Sequence, residues 1–444
     1  MPETAVIRNT LSICPSCSAK IPASIVERDG AVYLDKRCAK DGDFSLLLSL
    51  HPDYYRRLDG YYFAVIDRSF VQRDYILHLT NRCELECPIC LAEANRRMTA
   101  DYPLKDLGEF LRSRKGVKID IMGAEPAMRE DLAEVIRVIR KSGNIPALHT
   151  NGIKIADMKY LVGLKKAGLG EVHLQFDGFD DEVYVKIRGR KLMDVKKKAL
   201  DNLEALGIAT DLVVTVVKGV NEAETGKVLD YASAHAFVKE VFFLGCRYLG
   251  CAKGLPMSGC LMPDEVIDIV EKETSGLIDR RDVFRFQKLY FALLSAFSVR
   301  KCFYIQHFFV VRRKNGYAPF GDVFDLKGTE KRLDRYRRLR TSGSVMAKPY
   351  LMYALMRGML RGNGLFWIWE FLSYGLPFIR GFGLAGLPRK SVLIGFISAC
   401  DTYSLDYDIA KNCGKGAISV ELGVQESGAI DNVLRDNFMK GNTA

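Results

Sequence analysis

Between residues 75 and 274 the sequence alternates six times between short strand-like runs and amphipathic helix-like runs. The predicted strands cover residues 75–80, 117–122, 146–149, 171–176, 209–217 and 238–244. The predicted helices cover residues 107–114, 130–141, 158–166, 194–206, 223–235 and 263–274. Strands that alternate with helices of this length indicate parallel βα units, which either close into a barrel or open into a doubly wound sheet. The sequence therefore predicts an α/β protein.

Two further regions flank this alternation. Residues 1–50 carry Cys14 and Cys17 before a strand-like run and Cys38 after it, and beyond about residue 280 the alternation stops. There, residues 284–297 and 351–360 have the apolar spacing of helices. We therefore predict three parts. They are a metal-binding head of zinc-ribbon or rubredoxin type (1–50), the βα region (68–280) and a mainly helical, basic region that covers the substrate (281–444).

The composition is that of a globular protein, with 48% hydrophobic and 27% charged residues, which excludes a disordered or fibrous chain. The first four residues, Met1 to Thr4, show no basic start followed by an apolar run. The longest apolar stretch, 364–379, is interrupted by Glu370 and Pro377 and is shorter than the roughly 20 residues that a membrane span needs. We expect a cytoplasmic chain that does not cross a membrane.

The positive charge of the chain is concentrated in one segment. The net charge is +11, and residues 312–390 alone hold sixteen Lys and Arg against five Asp and Glu. The same segment contains both tryptophans, Trp367 and Trp369. Basic helices beside exposed aromatic residues are typical of an element that lies on an anionic membrane surface, whereas a solvated basic face is the alternative. Nucleic acid is disfavoured as the partner, because the aromatic residues stand apart from the basic ones instead of being interleaved with them.

The chain has twelve cysteines and no secretion signal, so metal binding is favoured over a disulfide framework. Cys83, Cys87 and Cys90 follow the first strand of the alternation at spacings of four and three residues. Three thiolates at these spacings in a loop can converge on one face of an iron–sulfur cube. A [4Fe–4S] cluster normally takes four cysteines, so three would leave one iron open for a small molecule. A structural zinc site would need a fourth ligand nearby, and no histidine is adjacent.

This cysteine pattern resembles the signature of the radical S-adenosylmethionine (SAM) superfamily, Cys-x3-Cys-x2-Cys after the first barrel strand. Further motifs follow predicted strands in the same order, where α/β folds bind their ligands. They are Gly123-Ala-Glu-Pro126, His149-Thr-Asn-Gly152, Gln175-Phe-Asp-Gly178 and Val217-Lys-Gly-Val-Asn-Glu222. The resemblance covers about residues 70–275 and implies a partial (β/α)6 barrel that binds a [4Fe–4S] cluster and SAM.

The resemblance also implies roles for individual residues. Cys83, Cys87 and Cys90 would bind the cluster, and Gly123, Ala124, Glu125 and Pro126 would hold the methionine amino group. Asn151 is a further candidate for contact with SAM. Asp177 would contact the ribose, and Arg188 would pair with the carboxylate. The implied chemistry is reductive cleavage of SAM to a 5′-deoxyadenosyl radical that abstracts hydrogen from an unreactive C–H bond. No general acid or base is singled out.

The N-terminal part resembles the metal-binding head of one radical SAM subgroup. That subgroup includes the archaeal tetraether lipid synthase and proteins described as hydroxymethylpterin methyltransferases. Cys14, Cys17 and Cys38 match the cysteines of this head, and Asp41 stands where relatives usually have a histidine. A carboxylate is a poorer fourth ligand than His or Cys beside three thiolates. The head is expected to bind zinc or iron.

The last third departs from these relatives, which carry extra cysteine groups there for auxiliary clusters. Six cysteines remain as candidates for a second cluster, and the alternative is that they are small buried apolar side chains. They are Cys246, Cys251, Cys260, Cys302, Cys400 and Cys413.

These observations predict a cytoplasmic radical SAM enzyme that is peripheral on the inner face of the membrane through residues 312–390. The predicted substrate is a lipid or another long apolar molecule, which undergoes C–C bond formation or methyl addition. Flavodoxin or ferredoxin would supply the electron. A pterin- or peptide-modifying radical SAM enzyme is one alternative. A metal-binding regulator without catalytic activity is another.

Overall fold

The computed structural model describes residues 4–66, 72–96, 99–254, 259–299, 302–368 and 390–439. Within these residues the strands form two sheets, one of four strands near the N-terminus and one of eleven strands. Trp369 and most of the apolar stretch 364–379, on which part of the membrane prediction rests, lie outside the described residues.

The N-terminal head is an antiparallel sheet in the order β1-β2-β3-β4. Its strands are β1 (Ala5–Ile13), β2 (Lys20–Arg28), β3 (Ala31–Cys38) and β4 (Gly42–Ser49). Asp29 and Gly30, which join β2 to β3, have φ values of 52° and 72°. Positive φ at both central residues gives the tight hairpin turn whose twist matches that of its flanking strands. The alternating apolar residues of this sheet pack against the rest of the chain.

The six predicted strands of the βα region are all present and form the centre of the large sheet. They are β5 (Asp74–His78), β6 (Lys118–Met122), β7 (Ile145–Thr150), β8 (Glu171–Gln175), β9 (Ala209–Val216) and β10 (Val238–Gly245). Each pairs in parallel with the next, in sequence order. Consecutive right-handed crossovers that proceed in one direction place all their helices on the same face. The strand order therefore favours a curled partial barrel over a doubly wound sheet and confirms the predicted fold class.

Helices between the strands of the βα region cover the convex face of this sheet. Further helices belong to the C-terminal region. In chain order the helices are α1 (Pro52–Val65), α2 (Leu104–Leu111), α3 (Leu132–Lys141), α4 (Met158–Ala167), α5 (Asp181–Arg188), α6 (Met193–Ala205), α7 (Glu224–Ala234), α8 (Pro263–Glu273), α9 (Arg280–Ala296), α10 (Leu326–Thr341), α11 (Ala347–Arg361), α12 (Tyr407–Ala410) and α13 (Gly428–Met439). Fully buried residues such as Ile119, Leu148 and Leu174 fill the space between the sheet and the helices. No described helix is long and apolar enough to cross a membrane.

The C-terminal region contains the predicted helices but also extends the large sheet at both edges. Its strands are β11 (Ile305–Arg313), β12 (Gly316–Pro319), β13 (Ser391–Ser398), β14 (Gly416–Ser419) and β15 (Gly423–Gln425). β13 is parallel to β10, and β14 is parallel to β5. The prediction of helices after residue 280 is thus confirmed. The structure also shows five strands in this region, which the sequence did not predict. The exact division at residues 50, 68 and 280 stays a prediction.

The loop after β13 connects the head to the barrel. Arg8 in β1 forms an ion pair with Asp406 at 2.6 Å. Ser12 donates to the carbonyl of Leu405 at 2.6 Å, and Lys36 donates to the carbonyl of Thr402 at 2.7 Å. Because these contacts join residues almost 400 positions apart, the head is fixed by the C-terminal region and not only by its neighbouring helix.

Candidate functional site

The backbone just after β6 approaches the backbone just after β5 so closely that the chain requires a glycine there. Gly123 has φ of 125°, and a Cβ atom there would lie 2.3 Å from the carbonyl oxygen of Thr80. The next two residues are bonded to the cysteine loop, because the Ala124 amide donates to Thr80 at 2.8 Å and the Glu125 amide donates to Arg82 at 3.0 Å. The backbone at the end of β6 therefore lies directly against the segment that carries the three cysteines.

The cysteine loop is held in shape by hydrogen bonds. The Asn95 side chain accepts from the Cys83 amide at 3.1 Å and donates to the Cys83 carbonyl at 2.7 Å. The amide of Cys251 donates to the carbonyl of Cys90 at 2.9 Å. All three cysteines are partly buried, and burial raises the pKa of Cys83 to about 12. A buried thiolate therefore needs a positively charged partner such as bound iron.

The three cysteines of the loop all offer thiolates, which are the ligands that iron–sulfur clusters take. In the part of the chain that the structure describes, two groups of metal-ligating atoms lie within 4.8 Å of one another, and the Cys83–Cys87–Cys90 triple is not one of them. Three thiolates from one loop are a donor set that fits a [4Fe–4S] cluster with one iron left open.

Glu125 lies at the centre of the predicted SAM site and is almost completely buried. Its carboxylate accepts from the Thr150 hydroxyl at 2.8 Å, the Ala127 amide at 3.0 Å and the Asn151 amide at 2.7 Å. Burial nevertheless raises its pKa to about 7. A positively charged ligand group would stabilise the ionised carboxylate in this position. Pro126 begins the short 3-10 turn Pro126–Met128, which Glu125 caps.

Asn151 connects this carboxylate with the cysteine loop. Its backbone amide donates to Glu125, and its side-chain amide lies 3.8 Å from the sulfur of Cys83. Strand β7 thus brings two parts of the predicted site together that are 42 residues apart in the sequence.

Asp177 and Arg188 are bonded to each other, an arrangement that the sequence did not predict. Arg188 donates to the two oxygens of Asp177 at 2.7 and 2.9 Å, and the Thr215 amide donates to Asp177 at 3.1 Å. Asp177 is fully buried. Its carboxylate is therefore engaged by protein groups, in contrast to the direct ribose contact that the resemblance implied. Arg188 also interacts with Cys87, which together with Asp177 raises the pKa of the guanidinium.

Lys196 is a site residue that the sequence analysis missed. It lies in α6 and is fully buried, and its ammonium group donates to the carbonyls of Asn151 and Gln175 at 2.5 and 2.6 Å. Burial lowers its pKa to about 7. In the sequence it is the first of three consecutive lysines, a pattern typical of a solvated helix face. Only the packing of α6 beneath the strand ends reveals it.

The six remaining cysteines fall into different surroundings. Cys246 packs beside Val183 and Ile187 of α5, near the predicted SAM site. Cys302, Cys400 and Cys413 are buried together beneath the C-terminal region, where a hydrogen bond with Cys400 lowers the pKa of Cys302. A second cluster stays a prediction.

In the head, the four predicted ligands meet at one point. The ligand atoms of Cys14, Cys17, Cys38 and Asp41 all lie within 4.8 Å of one another. Asp41 is 3.1 Å from the sulfur of Cys14 and 3.3 Å from that of Cys38. Three thiolates and one carboxylate around a common centre fit a tetrahedral metal ion.

We expect replacement of Asp41 with alanine to weaken metal binding by the head about tenfold or more, because three ligands then remain for a tetrahedral ion. Competition with a chromophoric chelator measures this change in affinity. Asp43→Ala is the matched control, since Asp43 is an exposed carboxylate two residues away whose contact is Arg37. Equal affinities of the two variants would exclude Asp41 as a ligand.

Comparison with known proteins gives two family matches. The radical SAM superfamily model matches residues 77–232, and the model described as the HMPTM N-terminal zinc ribbon domain matches residues 6–49. The radical SAM domain implies a [4Fe–4S] cluster and SAM as cofactors, and the zinc-ribbon match supports a metal in the head.

Among curated proteins, the chain is similar to the 7,8-dihydro-6-hydroxymethylpterin dimethyltransferase of Methanocaldococcus jannaschii. They are 33% identical over 310 residues, which is 62% of this chain and 61% of that protein. The GTP 3′,8-cyclase of Paenarthrobacter nicotinovorans is 25% identical over 210 residues, 45% of this chain and 58% of the cyclase. The alignments thus span about three fifths of these relatives.

Among solved structures, Streptococcus suis SuiB bound to precursor peptide SuiA matches with a TM-score of 0.39 and 15% identity. The match covers 52% of this chain and 50% of SuiB. The superfamily match includes the cysteine loop and all four strand-end motifs, and residues of these motifs contact one another in the structure. Residues 77–232 of this chain thus form a radical SAM domain.

Proposed function

We propose that this protein is an enzyme that cleaves SAM reductively at a [4Fe–4S] cluster bound by Cys83, Cys87 and Cys90. The contact that supports this most directly is that of Asn151, which lies between the Cys83 sulfur and the buried carboxylate of Glu125. The cysteine loop and the strand-end motifs are therefore neighbours in space, as simultaneous binding of the cluster and SAM requires. A small reductant such as flavodoxin or ferredoxin would deliver the electron.

When bound, the cluster and SAM supply a 5′-deoxyadenosyl radical that abstracts hydrogen from the substrate. The residues of the chain bind SAM and orient it. The turn Gly123–Pro126 and Asn151 receive the amino end of SAM, and the buried carboxylate of Glu125 offers it a negative charge. Arg188 provides the cation for the SAM carboxylate. Asp177 acts as a positioning residue that holds Arg188 through two hydrogen bonds.

For the substrate, we propose a pterin or a similar nitrogen heterocycle. The similarity to the pterin dimethyltransferase extends over 310 residues and thus beyond the radical SAM domain, and the head matches a zinc-ribbon model of the same subgroup. The lipid substrate expected from the sequence has no support from these relatives. A pterin, which the sequence offers as the alternative substrate, has the better support from these relatives.

The test is an anaerobic assay of 5′-deoxyadenosine with reconstituted, reduced protein. One arm receives 7,8-dihydro-6-hydroxymethylpterin, a second receives phospholipid vesicles, and a third receives no substrate. We expect the pterin to increase the yield above the substrate-free arm. Stimulation by the vesicles alone would favour a lipid substrate. Failure to form product in every arm, combined with failure to bind SAM, would leave the metal-binding regulator as the function.

A second candidate, action at a membrane surface, is favoured by one observation. Helix α11 and the residues on either side of it carry a patch of exposed apolar side chains, which we call the α11 patch. Its residues are Val345, Met346, Met352, Tyr353, Met356, Leu360, Leu365 and Ile368. Trp367, by contrast, is partly buried and donates to the carbonyl of Val323 at 2.7 Å.

Beside the α11 patch, acidic side chains of α10 are paired on its inner side, whereas basic side chains of α10 are exposed. Glu330 faces inward and pairs with Arg57 and Arg285 at 2.7 and 3.2 Å, and Asp334 pairs with Lys288 at 3.0 Å. Exposed positions of α10 hold basic residues, among them Lys327, Lys331, Arg337 and Arg338. An exposed apolar patch beside basic side chains suits an anionic membrane surface.

We expect the protein to sediment with vesicles of phosphatidylglycerol but not with vesicles of phosphatidylcholine. The variant Lys331→Glu/Arg337→Glu should reduce this binding about tenfold or more, since each basic residue near an anionic surface contributes about 1 kcal/mol. The control Lys159→Glu/Lys166→Glu makes the same charge change at exposed positions of α4. Equal losses in both variants would indicate nonspecific attraction and would contradict a docking surface.

A further inference from the structure

We propose that the barrel encloses a second metal site, in which Asp120, His149 and His173 bind a divalent first-row ion. The three residues stand on consecutive strands, β6, β7 and β8. Their neighbours along the strands, such as Ile121, are packed against the helices on the convex face. Because successive side chains of a strand point to opposite faces, the three ligands face the concave interior of the barrel.

The ligand atoms are close enough for one ion. The Nε2 atom of His149 lies 3.4 Å from Oδ1 of Asp120, and Nε2 of His173 lies 3.9 Å from the same oxygen. All three atoms are within 4.8 Å of one another. An ion bound at about 2.0–2.2 Å from each ligand separates its ligands by about 3–4 Å. Two histidines and one carboxylate are also a known donor set for divalent iron with open positions.

Two of these atoms are buried without a hydrogen bond. Oδ1 of Asp120 and Nε2 of His149 make none with any residue that the structure describes, and Asp120 is fully buried. The charged neighbours of the Asp120 oxygen, Lys118 and His149, lie 3.5 and 3.4 Å away. A buried carboxylate oxygen without a hydrogen bond is costly, and a cation bound directly to it lowers that cost. The unsatisfied atoms point to a ligand independently of the spacing.

The orientation of the second histidine is set by a further carboxylate. Nδ1 of His173 hydrogen-bonds Asp211 at 2.7 Å. The rings of His149 and His173 are stacked nearly parallel, with centroids 4.1 Å apart and an angle of 9° between the planes, so binding of one ion by both requires one ring to rotate out of the stack. A carboxylate bonded to one ring nitrogen fixes the tautomer and directs the other nitrogen towards the metal. Asp211 therefore serves as the positioning residue of the site.

The surroundings of the site include a competing cation. The ammonium of Lys118 lies 3.2 Å from Nε2 of His173 and 3.5 Å from Oδ1 of Asp120, close to the position that a metal would occupy. It also lies 3.4 Å from Glu171, towards which an ion would displace it. A second ammonium group, that of Lys415, bonds the other oxygen of Asp120.

The site lies below the residues assigned to SAM. His149 on β7 precedes Asn151 by two positions, and His173 on β8 precedes Asp177 by four positions. The open positions of the ion would accept an oxygen or nitrogen atom of the substrate. This last role depends on the proposed function, whereas binding of the metal does not.

The test measures binding of Mn²⁺ by electron paramagnetic resonance, with the full chain carrying its oxidised cluster and head metal. Mn²⁺ prefers oxygen and nitrogen ligands, so the cysteine sites compete little. We expect one bound Mn²⁺ per chain, with an affinity about tenfold or more lower in both Asp120→Asn and His173→Gln. Lys118→Met leaves the three ligands intact and should raise the affinity, because it removes the competing ammonium.

His235→Gln is the matched control, since His235 is a partly exposed histidine paired with Glu204 outside the barrel. SAM binding and the thermal midpoint of each variant show that it is folded. If the wild type binds no Mn²⁺, or if His173→Gln and Lys118→Met bind it as the wild type does, the barrel holds no such site. Because no turnover is measured, this result is separate from the outcome of the pterin assay.

Discussion

Replacing Cys83 with alanine is expected to abolish formation of 5′-deoxyadenosine and to reduce iron by about four atoms per chain, the content of one [4Fe–4S] cluster. Only two of the three thiolates in the loop would remain, and the corner of the cluster next to Asn151 would lose its ligand. Iron analysis, the visible absorption of the cluster and chromatographic quantification of 5′-deoxyadenosine measure the effect. The expected change in activity is complete loss.

Glu86→Ala is the matched control for this variant. Glu86 lies in the same loop, directly before Cys87, and its side chain is exposed. It should retain iron and activity, because no ligand is removed and no buried contact is lost. A Cys83→Ala variant with full cluster content would contradict the assignment of this cysteine, whichever substrate the enzyme uses.

Replacing Asp177 with asparagine is expected to destabilise the protein by about 3–5 kcal/mol and to abolish measurable SAM binding. The substitution leaves the guanidinium of Arg188 buried without its counter-charge, which is the costly way to break a buried ion pair. Arg188 would also lose one of the two hydrogen bonds that orient it, because the amide nitrogen of asparagine cannot accept. Thermal unfolding and equilibrium binding of SAM measure the two effects.

The double variant Asp177→Leu/Arg188→Met separates these effects. Replacing both partners of a buried ion pair by apolar residues is often neutral for stability, so the thermal midpoint should recover most of its loss. SAM binding should not recover, because the cation for its carboxylate is absent. If Asp177→Asn were as stable as the wild type and bound SAM normally, Asp177 would have no positioning role.

The sequence by itself determined the fold class, the cysteine loop and the head. The alternation of strand-like and helix-like runs along residues 75–274 predicts parallel βα units. The close spacing of Cys83, Cys87 and Cys90 places their sulfur atoms on one loop. Each strand, each helix and the cysteine loop is local, because it is decided by residues within about ten positions of one another. The ligands of the head likewise come as two local pairs, Cys14 with Cys17 and Cys38 with Asp41. The strand-end motifs could likewise be placed, since parallel strands bring their carboxyl ends to the same edge.

Only the tertiary structure decided which of these residues contact one another. Asp177 was expected on a ribose but holds Arg188, and Lys196 lies beneath the strand ends instead of on a solvated helix. The proposed metal ligands Asp120, His149 and His173 are spread over 53 positions, and no single motif contains all three. Hydrogen bonds and ion pairs of this kind depend on distances across strands, which the curvature of the sheet and the burial of each side chain set. A linear pattern contains neither of these quantities.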